Sequence, residues 1–186
     1  MHQQAVNQAY ETHSMDGALA ALSTSIARWT DTSGVHVTAI PGLSLSRRDA
    51  PTQPTSYMYE PSLCVIAQGT KRLLLGDDTY VLDVHHFLIT SVDLPTMTQI
   101  LQANRAQPYL SLVLQLDQRE MAQLMVDSQL PPPRTQHSSR GMATGKVTVP
   151  LLSACQRLLD LLGDSAGYPD PGAAHPAGTA VPVTGG

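Results

Sequence analysis

A chain of 186 residues, 42% apolar and 14% charged, can bury one ordinary hydrophobic core and is too apolar for a disordered polypeptide. Its formal net charge of −4 argues against a surface built to neutralise phosphates, so DNA binding by this chain alone is not expected. No run approaches the roughly 20 apolar residues of a membrane span. The start, "MHQQAVNQAYETHSMDG", also lacks the basic residues and apolar core of a signal peptide, so a cytoplasmic location is expected.

Residues 1–14 are expected to form a flexible arm. In "SMDGALAALSTSIARWTD", Met15, Leu19, Leu22, Ile26 and Trp29 recur at helical spacing. That spacing predicts a helix over 15–30 with Ser14 as N-cap and Gly34 as a stop signal beyond its end. From Val35 the period changes to two. Short β-rich runs follow: "VHVTAI", "LSLSRR", "SYMYE", "LCVIAQG", "KRLLLG", "TYVLD", "HFLITSV", "TMTQILQA" and "YLSLVLQLD". Turn residues separate them, among them Pro41-Gly42, Gly69, Gly76-Asp77-Asp78, Pro95 and Pro108. Such even spacing predicts an antiparallel sandwich or barrel over 35–116. In "YLSLVLQLD", Leu110, Leu112, Leu114 and Leu116 share one face, the one expected to meet the core; Tyr109, Ser111, Val113 and Gln115 share the other.

Asp117 can cap a helix over 117–127, with Glu120 as its capping-box partner. "LPPPRTQHSSRGMATG" reads as a polar, proline-rich connection without an element of its own. "VPLLSACQRLLDLLGD" then predicts a helix over 150–162. Its stripe of Leu151, Leu152, Cys155, Leu158, Leu159 and Leu162 is wide enough to predict dimerisation through that helix. The tail "GYPDPGAAHPAGTAVPVTGG", residues 167–186, contains no Leu, Ile, Lys or Arg and is expected to be disordered. A flexible linker and a shift of reading frame both account for so abrupt a change in composition.

Chemistry-bearing residues are few. His85 and His86 are adjacent, and neighbouring strand residues point to opposite faces, so the pair can supply one metal ligand at most; no metal is expected. Asp77 and Asp78 follow Gly76 between two strands and read as a solvated turn. Cys64 and Cys155 lie in apolar runs and read as small buried hydrophobes in a reducing compartment. No nucleophile elbow, zinc-protease, P-loop or dinucleotide fingerprint occurs, and no catalytic residue or cofactor is assigned. Lys71-Arg72, Arg47-Arg48 and Arg140 are too scattered for a basic recognition helix.

Four segments taken in order, "EPSLCVIAQGTKRLLLG", "Y-x-L-D" (Tyr80 to Asp83), "SVDLP" and "PYLSLVLQLD", carry a resemblance. Over residues 15–166 the chain resembles the N-terminal effector-binding and dimerisation domain of AraC-type bacterial transcription regulators. The resemblance implies a mainly β fold with flanking helices: a cupin-like antiparallel barrel or jelly roll followed by C-terminal helices. It further implies a non-enzymatic domain that senses a small-molecule effector and forms a homodimer. DNA would be contacted only through a helix-turn-helix half, which this chain lacks. Barrel-strand residues with a polar or aromatic tip are the candidate ligand contacts: Tyr57, Tyr59, His86, Gln99 and Tyr109. Two alternatives stay open, a small cupin-type metal-dependent enzyme using His85 or His86, and a stand-alone dimerisation module.

Overall fold

The alternating runs fold as two antiparallel sheets. The computed structural model describes residues 2–128 and 141–164, with side chains for 14–128 and 141–163. In chain order the elements are α1 (His2–Arg28), β1 (Gly34–Val37), β2 (Leu43–Arg48), β3 (Thr55–Tyr59), β4 (Ser62–Gln68), β5 (Thr70–Leu75) and β6 (Asp78–Leu82). They continue with β7 (His86–Thr90), β8 (Leu94–Gln102), β9 (Tyr109–Gln115), α2 (Gln118–Asp127), β10 (Met142–Lys146) and α3 (Val149–Asp164). A six-stranded sheet has the order β1-β2-β9-β4-β7-β10, and a four-stranded sheet has the order β3-β8-β5-β6. The expected architecture, mainly β with flanking helices, is the one observed.

Both faces of the larger sheet are covered, which follows from strict alternation in its central strands. Leu43 and Leu45 of β2, Val65 and Ala67 of β4, and Leu110 and Leu112 of β9 point outward. They pack under Leu19, Leu22 and Ile26 of α1 and under Leu152, Cys155, Leu159 and Leu162 of α3. Each leucine fully buried in this layer contributes about 1.5–3 kcal/mol. The intervening residues face the other sheet, where Cys64, Ile66 and Tyr109 meet Tyr59, Leu73, Leu75, Leu82, Leu88, Leu94 and Ile100. The leucine face of β9 does meet a core, as expected. The opposite face is equally inward, because it looks into the barrel.

The helix layer is tied at two points. Gln156 Nε2 of α3 donates to Ser25 Oγ of α1 at 2.7 Å. At the end of α1, Arg47 Nη1 donates to the Thr30 carbonyl at 3.1 Å, while its Nε holds Asp49 at 2.7 Å. α2 stands apart. Asp117 caps it as expected, accepting from the amides of Arg119 at 2.7 Å and Glu120 at 3.1 Å, yet none of its residues is buried.

Three expectations are corrected. α1 begins at His2, so residues 2–14 are the start of that helix rather than an arm, and Ser14 lies inside it rather than capping it. Residues 2–14 contain neither Pro nor Gly, so nothing stops a helix seeded by the apolar stripe from propagating backwards. The second correction is β10, which lies in the segment read as a connection. Its sequence, MATGK, has no β-branched alternation; pairing with β7 from Met142↔Thr90 to Lys146↔His86 makes it a strand. Gly145 lies so close over the Phe87 ring that any Cβ there would collide with it. The third is the end of the last helix, which runs to Asp164. The tail at 167–186 lies outside the described residues.

A cavity with a buried lysine

The two sheets leave a cavity near their edge strands β1 and β3. It has a volume of about 260 Å³ and is lined from β1, β2, β3, β5, β8 and β9. Alternation makes one wall polar. With Leu43, Leu45, Leu110 and Leu112 committed to the helix layer, Ser44, Ser46 and Arg48 of β2 and Tyr109 and Ser111 of β9 turn inward. Thr55, Ser56, Tyr57 and Tyr59 of β3 and Thr98 of β8 line the facing side.

Lys71 also lines this cavity. β5 presents Lys71, Leu73 and Leu75 to the interior and leaves Arg72 exposed. Lys71 is only 6% exposed. Its Nζ donates to the Tyr59 hydroxyl at 2.7 Å, approaches Cys64 Sγ at 3.6 Å, and lies 5.3 Å from the centre of the Tyr59 ring. The Tyr59 ring is held edge-to-face by Tyr57, with centroids 4.8 Å apart. Burial by itself works against the Lys71 charge, but the acidic groups of Cys64, Tyr109 and Tyr59 outweigh it and its pKa lies well above the ordinary value. Burial pushes the Tyr59 and Tyr109 hydroxyls up, with the Lys71 charge offsetting part of the rise. Near neutral pH these phenols are therefore protonated beside an ammonium ion.

The sequence-derived candidates divide. Tyr57, Tyr59 and Tyr109 come together in the cavity. His86 and Gln99 do not line it. His86 starts β7, where its Nδ1 lies 2.9 Å from Asp83 Oδ1, and the same oxygen accepts the His85 amide at 2.9 Å. Burial works to raise the Asp83 pKa, but these two bonds outweigh it and lower the value. The histidine pair thus closes the turn between β6 and β7. Gln99 lies on the opposite face of β8 from Thr98 and Ile100, with Oε1 3.5 Å from Arg72 Nη1. Of the six residues assigned to dimerisation, Leu152, Cys155, Leu159 and Leu162 are buried within the chain, while Leu151 and Leu158 are half-buried. Cys64 and Cys155 are both buried free thiols, and burial pushes the Cys155 thiol up.

Comparison with known proteins places this fold. Residues 39–169 match the model of the AraC-type transcriptional regulator N-terminus. The chain belongs to that family. The matched span takes in β2 through α3, and with them every cavity residue except Val35. No curated protein sequence matches the chain. Among solved structures, unsaturated-fatty-acid-bound ToxT from Vibrio cholerae is similar at a TM-score of 0.46 and 7% identity, over 68% of this chain and 48% of that one. ToxT bound to (E)-4-(8-methylnaphthalen-1-yl)but-3-enoic acid gives 0.44 and 8% over the same shares. A cupin-2 domain protein from Shewanella frigidimarina gives 0.32 and 8%, over 48% of this chain and 87% of that one. The chain thus spans about half the length of ToxT.

Sequence reasoning missed the two cations of this AraC-type domain's cavity, Lys71 and Arg48, and its Ser/Thr wall. The signal for Lys71 was present: in "KRLLL" it has the same parity as Leu73 and Leu75. Arg48 likewise shares its parity with Ser44 and Ser46, opposite Leu43 and Leu45.

Proposed function

We propose that this AraC-type domain is a regulatory, non-catalytic unit that senses a small molecule in the cavity between its sheets. One observation carries the reading: β2 and β9 line the cavity with one face and support α1 and α3 with the other. A ligand that contacts Ser44, Ser46 or Ser111 therefore bears on strands that hold the helix layer in place. Its effect would be a population shift, favouring whichever arrangement of sheet and helices it binds more tightly. Homodimerisation through α3 would use the half-buried Leu151 and Leu158 and the exposed Leu161, because the other leucines of the helix are buried in the chain's own core. Contact with DNA is assigned to a helix-turn-helix part outside this chain. A cytoplasmic location accords with a regulator's role, and among the described residues no helix is long and apolar enough to cross a membrane.

The test is a small-molecule screen by thermal shift, repeated on Ser46→Trp, which fills the cavity from β2. Compounds that stabilise the wild type should leave the variant unaffected, and hydrogen exchange in α1 and α3 should change when they bind. Responses that survive in Ser46→Trp would place the ligands elsewhere and remove the proposal.

A further inference from the structure

We infer that the molecule this cavity takes is a small carboxylate, held by the ammonium of Lys71 with the guanidinium of Arg48 on the facing sheet. The inference rests on the sensing role proposed above and narrows it to a chemical class. An ammonium has three N–H donors and no acceptor. Two of the Lys71 donors are directed at Tyr59 Oη and Cys64 Sγ, the second a long contact to a weak acceptor. The third is turned toward the Tyr109 hydroxyl, so none of the three protein partners of this ammonium is a carboxylate. Arg48 is half-buried, and its Nη1 is satisfied by a backbone carbonyl, that of Arg47 at 2.8 Å.

None of the cavity-lining residues is an Asp or a Glu, and no described carboxylate lies within 4.0 Å of Lys71. A charge buried to this degree is costly unless paired. An anion that enters with the ligand would pair it, and a carboxylate accepts N–H bonds from both kinds of cation. The rest of the wall sets the other requirements. The rings of Tyr57 and Tyr59 suit a flat or apolar body, and the hydroxyls of Ser44, Ser46 and Ser111 suit polar substituents. The cavity volume of about 260 Å³ is at the small end of ligand sites, which run from roughly 300 to 1,000 Å³. A body of one ring fits within it.

Titration calorimetry on the full chain tests this with two matched pairs, 4-hydroxybenzoate against 4-hydroxybenzamide and glucuronate against glucose. In at least one pair the carboxylate should bind at least about tenfold more tightly than its neutral partner, about 1.4 kcal/mol. That preference should vanish in Lys71→Met and weaken in Arg48→Gln, whose half-buried position makes it the safer variant should the first fail to fold. Equal affinity within both pairs, a preference retained in Lys71→Met, or no binding of any of the four compounds would overturn the inference. If the neutral members bind and Ser46→Trp abolishes their binding, the sensing role stands and the assignment to carboxylates alone falls. If a carboxylate preference persists in Ser46→Trp, the cavity itself is the wrong site.

Discussion

Replacing Tyr59 with Phe removes one oxygen atom and leaves the ring in place. The lost oxygen is the closest acceptor of the Lys71 ammonium, at 2.7 Å, and the thiol contact at 3.6 Å cannot replace it. Both side chains are buried, Tyr59 at 4% exposure and Lys71 at 6%, so water does not take over readily. A hydrogen bond to a charged group contributes about 1.5–3 kcal/mol, and the orphaned charge makes the upper half of that range the better expectation. For a chain of this size that lowers Tm by roughly 3–12 °C. Lys71→Met in the same background should recover most of the loss, because a charge and its acceptor replaced together by apolar groups of similar shape cost little. Urea denaturation followed by far-ultraviolet circular dichroism on wild type, both single variants and the double variant measures the coupling. A coupling of at least about 1 kcal/mol is expected for residues in direct contact. Strict additivity, or a Tyr59→Phe variant as stable as wild type, would refute the description of Lys71 as a buried cation dependent on that hydroxyl.

Other consequences follow from single contacts. Gly145→Ala should destabilise the chain by about 1–3 kcal/mol, since its Cβ has nowhere to go but the Phe87 ring; unchanged stability would mean β10 does not pack there. Gly69→Ala combines a φ of +86° with a Cβ 2.6 Å from the Gln102 carbonyl oxygen, and should cost at least as much by the same measurement. Asp117→Ala removes the cap of a helix that buries nothing, so faster amide exchange in α2 is expected with almost no change in global stability. Tyr59 and Tyr109 have folded-state values raised above the ordinary one, so the unfolded state ionises first as pH climbs past about 10. Stability should be whole below that pH and fall above it, with the two phenolates appearing in an absorbance titration only as the chain unfolds.

Strand positions were legible because alternation is a local property. β2 runs from Leu43 to Arg48, as its sequence pattern requires, and the other eight strands of the first 116 residues lie within a few residues of their runs. What the pattern could not assign was which face looks where. In β9 the leucines and the Tyr-Ser-Val face are both buried, one under helices and one in a cavity, and neither partner is encoded locally. Gln99 was picked for its polar tip, whereas strand parity turns Thr98 and not Gln99 toward the cavity. Lys71 entered only as part of a scattered set of basic residues, although Arg72 is the exposed member of the pair and Lys71 the buried one. β10 owes its existence to β7, fifty-odd residues away, and not to its own composition. The stripe on α3 was visible at once; that α1 would absorb most of it was not.

The tie between Gln156 and Ser25 spans 131 positions, and the two helices it joins come from opposite ends of the described chain. During synthesis, the outward leucines of β2 and β9 therefore emerge and pair well before α3 exists to cover them. Until residue 162 has left the ribosome, a nascent barrel would display Leu43, Leu45, Leu110 and Leu112 with α1 as a partial roof. Any product released short of that point keeps its strands and loses its cover, which is the surface that chaperones hold and that aggregates nucleate upon.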